Sequence, residues 1–219
     1  MIIMKKMVMI HTVPMIIEGL NKLLKNEIPD IQLENILDDH ILGLVRQDEI
    51  KAERRLRKLT DLARGSDGAQ TVITCSSLST IAEGIEGVMM IDGFMHEEAV
   101  KYKKLLLAAT AEIAIAPTRR GIVKKSAGRE IILEELIIPG AIEAFKEGDK
   151  DKHDSLVWEN IKTKTDTSDY DAIVLCQASM AHLKERVEEK TGKKVLTNTE
   201  YFLKFFKKKF EGEEDGRNG

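Results

Sequence analysis

The chain has 219 residues, long enough to bury a core without disulfides or a structural metal as one large domain or two small ones. Its 34 Lys and Arg against 37 Asp and Glu leave a net charge of -3, so no basic excess exists to neutralise a run of phosphates, and nucleic acid is excluded as a favoured partner. Two well-separated cysteines point to free thiols in a reducing compartment.

From Met1 to Ile10 the sequence is apolar but interrupted by Lys5 and Lys6, and Pro14 follows too soon for a signal-peptide core or a membrane span. No later stretch reaches the roughly 18 consecutive apolar residues that a spanning helix needs. The expectation is a cytoplasmic protein with no membrane partner.

Short apolar runs alternate with longer helical patterns, the signature of βα units feeding parallel sheets. Strands are predicted at Met4–Ile10, Ile31–Leu37, Thr71–Thr74 and Val88–Ile91, with helices around Met15–Lys25, Asp48–Arg64 and Leu78–Ile85. A second series has strands at Lys104–Ala109, Ile131–Ile137 and Ala172–Leu175, with helices at Pro117–Lys125, Gly140–Trp158 and Met180–Lys190. Lys193–Leu196 reads as a last short strand. The predicted fold class is α/β: two similar lobes, 1–94 and 95–196, each a parallel four-stranded sheet flanked by helices. A site is expected in a cleft between the lobes. Tyr201, Phe202, Phe205, Phe206 and Phe210 recur at helical spacing among lysines, so a closing helix over 197–210 should lay its aromatic face on the first lobe. Residues 211–219, rich in Gly, Glu and Asp, read as a frayed tail.

Each cysteine follows an apolar strand and precedes a helix, in Thr71-Val-Ile-Thr-Cys75-Ser-Ser-Leu-Ser and in Ala172-Ile-Val-Leu-Cys176-Gln-Ala-Ser-Met. Ligands of parallel α/β sheets bind beyond the carboxyl ends of the strands, where helix N-termini favour anions and thiolates. One such cysteine is ordinary packing; two in matching contexts, one per lobe, suggest a pair facing one small ligand. Ser76, Ser77 and Gln177 suit either capping or the binding of a carboxylate.

With Val72-Ile-Thr-Cys75-Ser-Ser and Ile173-Val-Leu-Cys176 in place, the sequence resembles the aspartate/glutamate/hydantoin racemase superfamily over most of its length. Ala109-Thr110, Pro117-Thr118 and the stretch from Ile138-Pro-Gly to His153-Asp-Ser-Leu156 resemble that superfamily's second-lobe pattern. The resemblance implies a cofactor-independent enzyme in which one thiolate removes an α-proton and the other thiol protonates the opposite face. Cys75 and Cys176 would be the catalytic pair. His11, Thr74, Ser76, Ser77, Thr110, Thr118 and Gln177 would hold a small carboxylate or amino-acid substrate, and a homodimer is that family's habit. Amino-acid racemases of this kind carry Asn-Thr after the first cysteine and Thr after the second; here Ser76-Ser77 and Gln177 take those places, which leaves the substrate open.

His11, at the expected end of the first strand, either faces the site or packs in the core. His40, His96, His153 and His182 show no familiar metal-ligand spacing, and no metal is expected; His153 reads as a capping or interhelical hydrogen-bonding residue. Asp92 either orients a ligand or makes a turn with Gly93. Two rivals to racemisation are a cis–trans isomerase of a dicarboxylate with a cysteine nucleophile and a small-anion binding protein without turnover.

Overall fold

The structure is a computed structural model that describes residues 5–66 and 68–215. Contacts divide the chain into two units, one of Met1–Ile91 with Leu203–Gly219 and one of Asp92–Phe202.

In the first unit β1 (Lys6–His11), α1 (Ile17–Glu27), β2 (Gln32–Leu37), α2 (Ile41–Gln47), α3 (Glu49–Arg64), β3 (Gln70–Ile73), α4 (Ser79–Ala82) and β4 (Val88–Met90) build a four-stranded parallel sheet of order β2-β1-β3-β4. In the second, α5 (Gly93–Ala99), β5 (Lys104–Ala109), α6 (Glu112–Ser126), β6 (Ile132–Ile137), α7 (Ala141–Lys146), α8 (Lys150–Thr167), β7 (Ala172–Leu175), α9 (Lys184–Thr191) and β8 (Lys194–Thr197) build a sheet of the same kind, β6-β5-β7-β8. The central strands, MVMI of β1, LLLAA of β5 and AIVL of β7, are unbroken apolar runs because helices cover both faces. Edge strands β2 and β6 are exposed at alternate or near-alternate residues and carry Glu34, Glu134 and Glu135.

Several elements differ from the sequence expectation. The expected first strand included Met4, which lies outside the described residues. Helix α6 starts at Glu112, not at Pro117; the proline sits in its second turn, where its missing N–H removes one helical bond. The single helix expected over 140–158 is two. Gly148, at φ 78°, breaks it, and Asp149 starts α8 afresh by accepting from the Lys152 N–H at 3.0 Å. Helix α8 then continues to Thr167. Helices α2 and α5 had no counterpart in the sequence reading.

The last helix, α10 (Asn198–Asp215), begins in the second unit and continues in the first. Phe202, Phe206 and Phe210 are buried, and Phe205 is exposed. Phe202 meets Phe94 at 6.4 Å in the second unit; in the first, Phe206 meets Phe210 at 5.7 Å, and Lys207 and Lys209 reach Glu27 and Gln70. The helix takes in 211–215 of the expected tail, whereas 216–219 lie outside the described residues. Among the described residues no helix is long and apolar enough to cross a membrane.

Candidate active site

At the carboxyl edge of the first sheet, β3 ends at Ile73. The Thr74 N–H still donates to the Ile10 carbonyl at 3.0 Å, so the ladder runs one residue further. Cys75 then leaves the sheet with extended backbone, and its carbonyl accepts from Leu78 N–H at 3.0 Å to form a 3-10 turn over Ser76–Leu78. Cys75 is half-buried, packed against the apolar cluster that contains Ile10, Ile73 and Leu78. Ser76 is buried; Ser77 keeps partial access to solvent.

His11 ends β1 fully buried, with both ring nitrogens engaged: Nε2 lies 2.9 Å from Asn35 Oδ1 and Nδ1 lies 2.9 Å from Thr74 Oγ1. Burial pushes the imidazole below its ordinary pKa, against the opposing pull of the bond to Asn35. The neutral ring therefore donates from Nε2 to Asn35, and its Nδ1 competes with the Ile10 carbonyl, 3.1 Å from Thr74 Oγ1, for one hydroxyl proton. His11 and Thr74 thus brace the strand end from which Cys75 departs. Asn35, the third member, had no signal in the sequence beyond its place on an edge strand. Asp38, just past β2, caps α2 through the His40 and Ile41 N–H groups at 3.1 and 3.2 Å and pairs with Arg55.

In the second unit, Cys176 N–H donates to the Ala108 carbonyl at 2.9 Å. Next to it, Gln177 Oε1 accepts from Thr110 N–H at 2.7 Å and from the Thr110 hydroxyl at 3.1 Å, tying the exits of β5 and β7 together. Thr118 is fully buried on α6 and its hydroxyl donates to the Ala114 carbonyl at 3.0 Å; the Cys176 thiol points to the Val174 carbonyl, with Sγ 3.7 Å from the oxygen. Cys176 itself is wholly buried among Ala109, Val174, Ala114, Ile115 and Met95. Burial, above all, drives its thiol up to about 12; the Thr118 contact opposes this and the charges of Asp92 and Glu135 reinforce it. The packing thus works against the readily formed thiolate that the sequence led one to expect at Cys176.

The ladders also show that the two cysteines are not in matching positions. Ile73 pairs with Ile10 as Leu175 pairs with Ala108, so Thr74 corresponds to Cys176 and Cys75 to Gln177. One residue of register moves a side chain to the other sheet face. Cys75 accordingly packs with Ile10 and Ile73 on the face covered by α2, α3 and α4, whereas Cys176 packs with Ala109 and Val174 on the face opposite the one that holds Ala108 and Leu175.

Asp92 precedes α5 and is 1% exposed, and neither of its carboxylate oxygens has a hydrogen-bond partner among the described residues. Its nearest base is His96, with Nε2 3.8 Å from Oδ2. Burial lowers the His96 pKa although Asp92 pulls the other way. Asp92 does sit in the turn that enters α5 at Gly93, but its side chain is buried there. Elsewhere the fold brings His182 to the consecutive pair His153 and Asp154: Asp154 Oδ1 lies 2.8 Å from both His153 Nδ1 and His182 Nε2.

No family model and no curated protein matches the chain. Solved structures do. An aspartate racemase from Picrophilus torridus superposes with a TM-score of 0.68 at 14% identity, covering 94% of each chain. The chain has the aspartate/glutamate/hydantoin racemase fold. An allantoin racemase from Klebsiella pneumoniae matches with a TM-score of 0.68 at 16% identity over 93% of this chain and 86% of that one. A glutamate racemase from Bacillus anthracis reaches 0.70 at 10% identity over 96% and 83%. At such identities the likeness of these racemase structures concerns the fold.

Proposed function

We propose that this chain is a cofactor-independent isomerase that racemises a small amino acid or related carboxylate at its α-carbon, with Cys75 and Cys176 as the acid/base pair. One observation carries the reading: in a racemase fold, each of the two sheets ends its third strand in order on one of the chain's two cysteines, Cys75 two residues past β3 and Cys176 one residue past β7. Proton removal leaves a planar carbanion, and inversion requires a second group that protonates its other face. Cys176, pushed to about 12, holds its proton at neutral pH and suits the donor role; Cys75, which solvent reaches, then removes the α-proton. For the other enantiomer the same transfers run in reverse, from the form in which Cys75 carries the proton and Cys176 has given its own up. Ser76, Ser77, Thr110 and Gln177 put hydroxyl and amide groups at the same strand ends, where a substrate carboxylate needs donors.

A second reading, proton delivery by Cys75 alone, is favoured by the complete burial of Cys176. A panel of D- and L-amino acids and hydantoins in deuterium oxide separates the two. Two-thiol catalysis washes deuterium into the α-position of both enantiomers, and Cys75→Ser and Cys176→Ser each abolish racemisation. With a substrate bearing a β-leaving group, the two variants should retain elimination from opposite enantiomers. Racemisation at the wild-type rate by Cys176→Ser would sink the pair and leave the single thiol.

A further inference from the structure

We propose that His153, Asp154 and His182 form a binding site for a late first-row divalent metal ion of the zinc type. The three side chains lie within the second unit, two on α8 and one on the 3-10 turn Ala178–Leu183 that follows Gln177. One ligand atom from each, two imidazole nitrogens and a carboxylate oxygen, falls within 4.8 Å of the others. Both nitrogens converge on the same oxygen, Asp154 Oδ1, at 2.8 Å, and His182 Nε2 is 2.9 Å from Oδ2 as well. The rings of His153 and His182 stack at 6.2 Å with 27° between their planes, so both present edge nitrogens to one point.

Two imidazoles and a carboxylate suit zinc, cobalt or nickel rather than magnesium or calcium, which prefer all-oxygen shells. Tetrahedral metal–ligand bonds of about 2.0–2.2 Å put ligand atoms roughly 3.3–3.6 Å apart, so the observed 2.8 Å separations need to open by about 0.5–0.8 Å. The ion would replace the two ring protons now directed at Asp154. His153 Nε2 would then carry that ring's proton beside the Phe145 ring, whose centroid is 5.5 Å away. Solvent has access because the His182 side chain is 38% exposed, while His153 at 1% is held fast by its helix. A bound ion would fasten the segment leaving Cys176 to α8. The site stands independently of the racemase reading.

The test uses tag-free full-length protein stripped with a chelator and then freed of it. Zinc titrated by calorimetry should bind at one equivalent and raise the melting temperature. Cobalt should give a visible d–d band without the near-ultraviolet charge transfer of a thiolate ligand. His182→Ala, at an exposed position, and Asp154→Asn should each weaken zinc at least tenfold, and Cys75→Ser should leave it unchanged. No saturable binding, wild-type affinity in both ligand variants, or loss of binding in Cys75→Ser would each overturn the site.

Discussion

The imidazole of His96 fills the space that a side chain at Gly121 would need: a β-carbon there would lie 2.1 Å from His96 Nδ1 and 2.2 Å from its Cε1. Helices α5 and α6 meet at this contact, and His96, 5% exposed, has no room to swing aside. Gly121→Ala is expected to destabilise the fold by about 1–3 kcal/mol, because overpacking outweighs the better helix propensity of alanine. Adding His96→Ala should recover most of that loss in a double-mutant cycle read by urea denaturation. A Gly121→Ala variant as stable as wild type would contradict the contact.

Thiol labelling should distinguish the two cysteines. Cys75 is partly open to solvent and Cys176 is not. One equivalent of Ellman's reagent should react with the native protein and two with the denatured protein, and peptide mapping after a native pulse should find the label on Cys75. Equal native rates at the two positions would refute the burial of Cys176.

Cys176 also makes stability depend on alkaline pH. Its folded pKa of about 12 exceeds the ordinary thiol value of 9.0, so folding favours the neutral form. The unfolded chain loses this proton first. The contribution is fully present below about pH 9 and is lost as pH rises from there toward 12, with a slope approaching roughly 1.4 kcal/mol per pH unit. Cys176→Ala should flatten the alkaline limb of a stability-against-pH curve measured by urea unfolding, whatever it does to stability at pH 7. An unchanged limb would show that the thiol titrates normally in the fold.

Asp92 offers a test of function against stability. A buried carboxylate without a hydrogen-bond partner costs free energy, and native proteins retain such groups where function uses them. Asp92→Asn should leave stability unchanged or raise it by about 1–2 kcal/mol and lower turnover of any substrate the wild type accepts. Lower stability with undiminished turnover would make Asp92 a purely structural residue.

Much of the architecture was legible because its signals are local. Unbroken apolar runs located β5 and β7 to the residue, and the alternation of strand and helix indicated two parallel sheets. Asp149 after Gly148 carried a helix-start signal strong enough to split 140–158, but the apolar period across it hid the break. The short α2 and α5 were missed because seven residues hold only two turns of a helical period, too few to stand out even where the apolar spacing of Ile41, Leu44 and Val45 is present.

The sequence by itself determined that the two thiols stand at the ends of two strands, because strand identity follows from composition and period over a few residues. Only the tertiary structure decided what each thiol meets. Whether a residue past a strand end falls on one sheet face or the other depends on the register of the ladder, and one residue of register left Cys75 half-open to solvent while Cys176 was buried against α5 and α6. The same holds for the clusters. His11 with Asn35 and Thr74, and His182 with Asp154, join residues from 24 to 63 positions apart whose meeting is set by strand order and helix packing, and no local pattern encodes such distances.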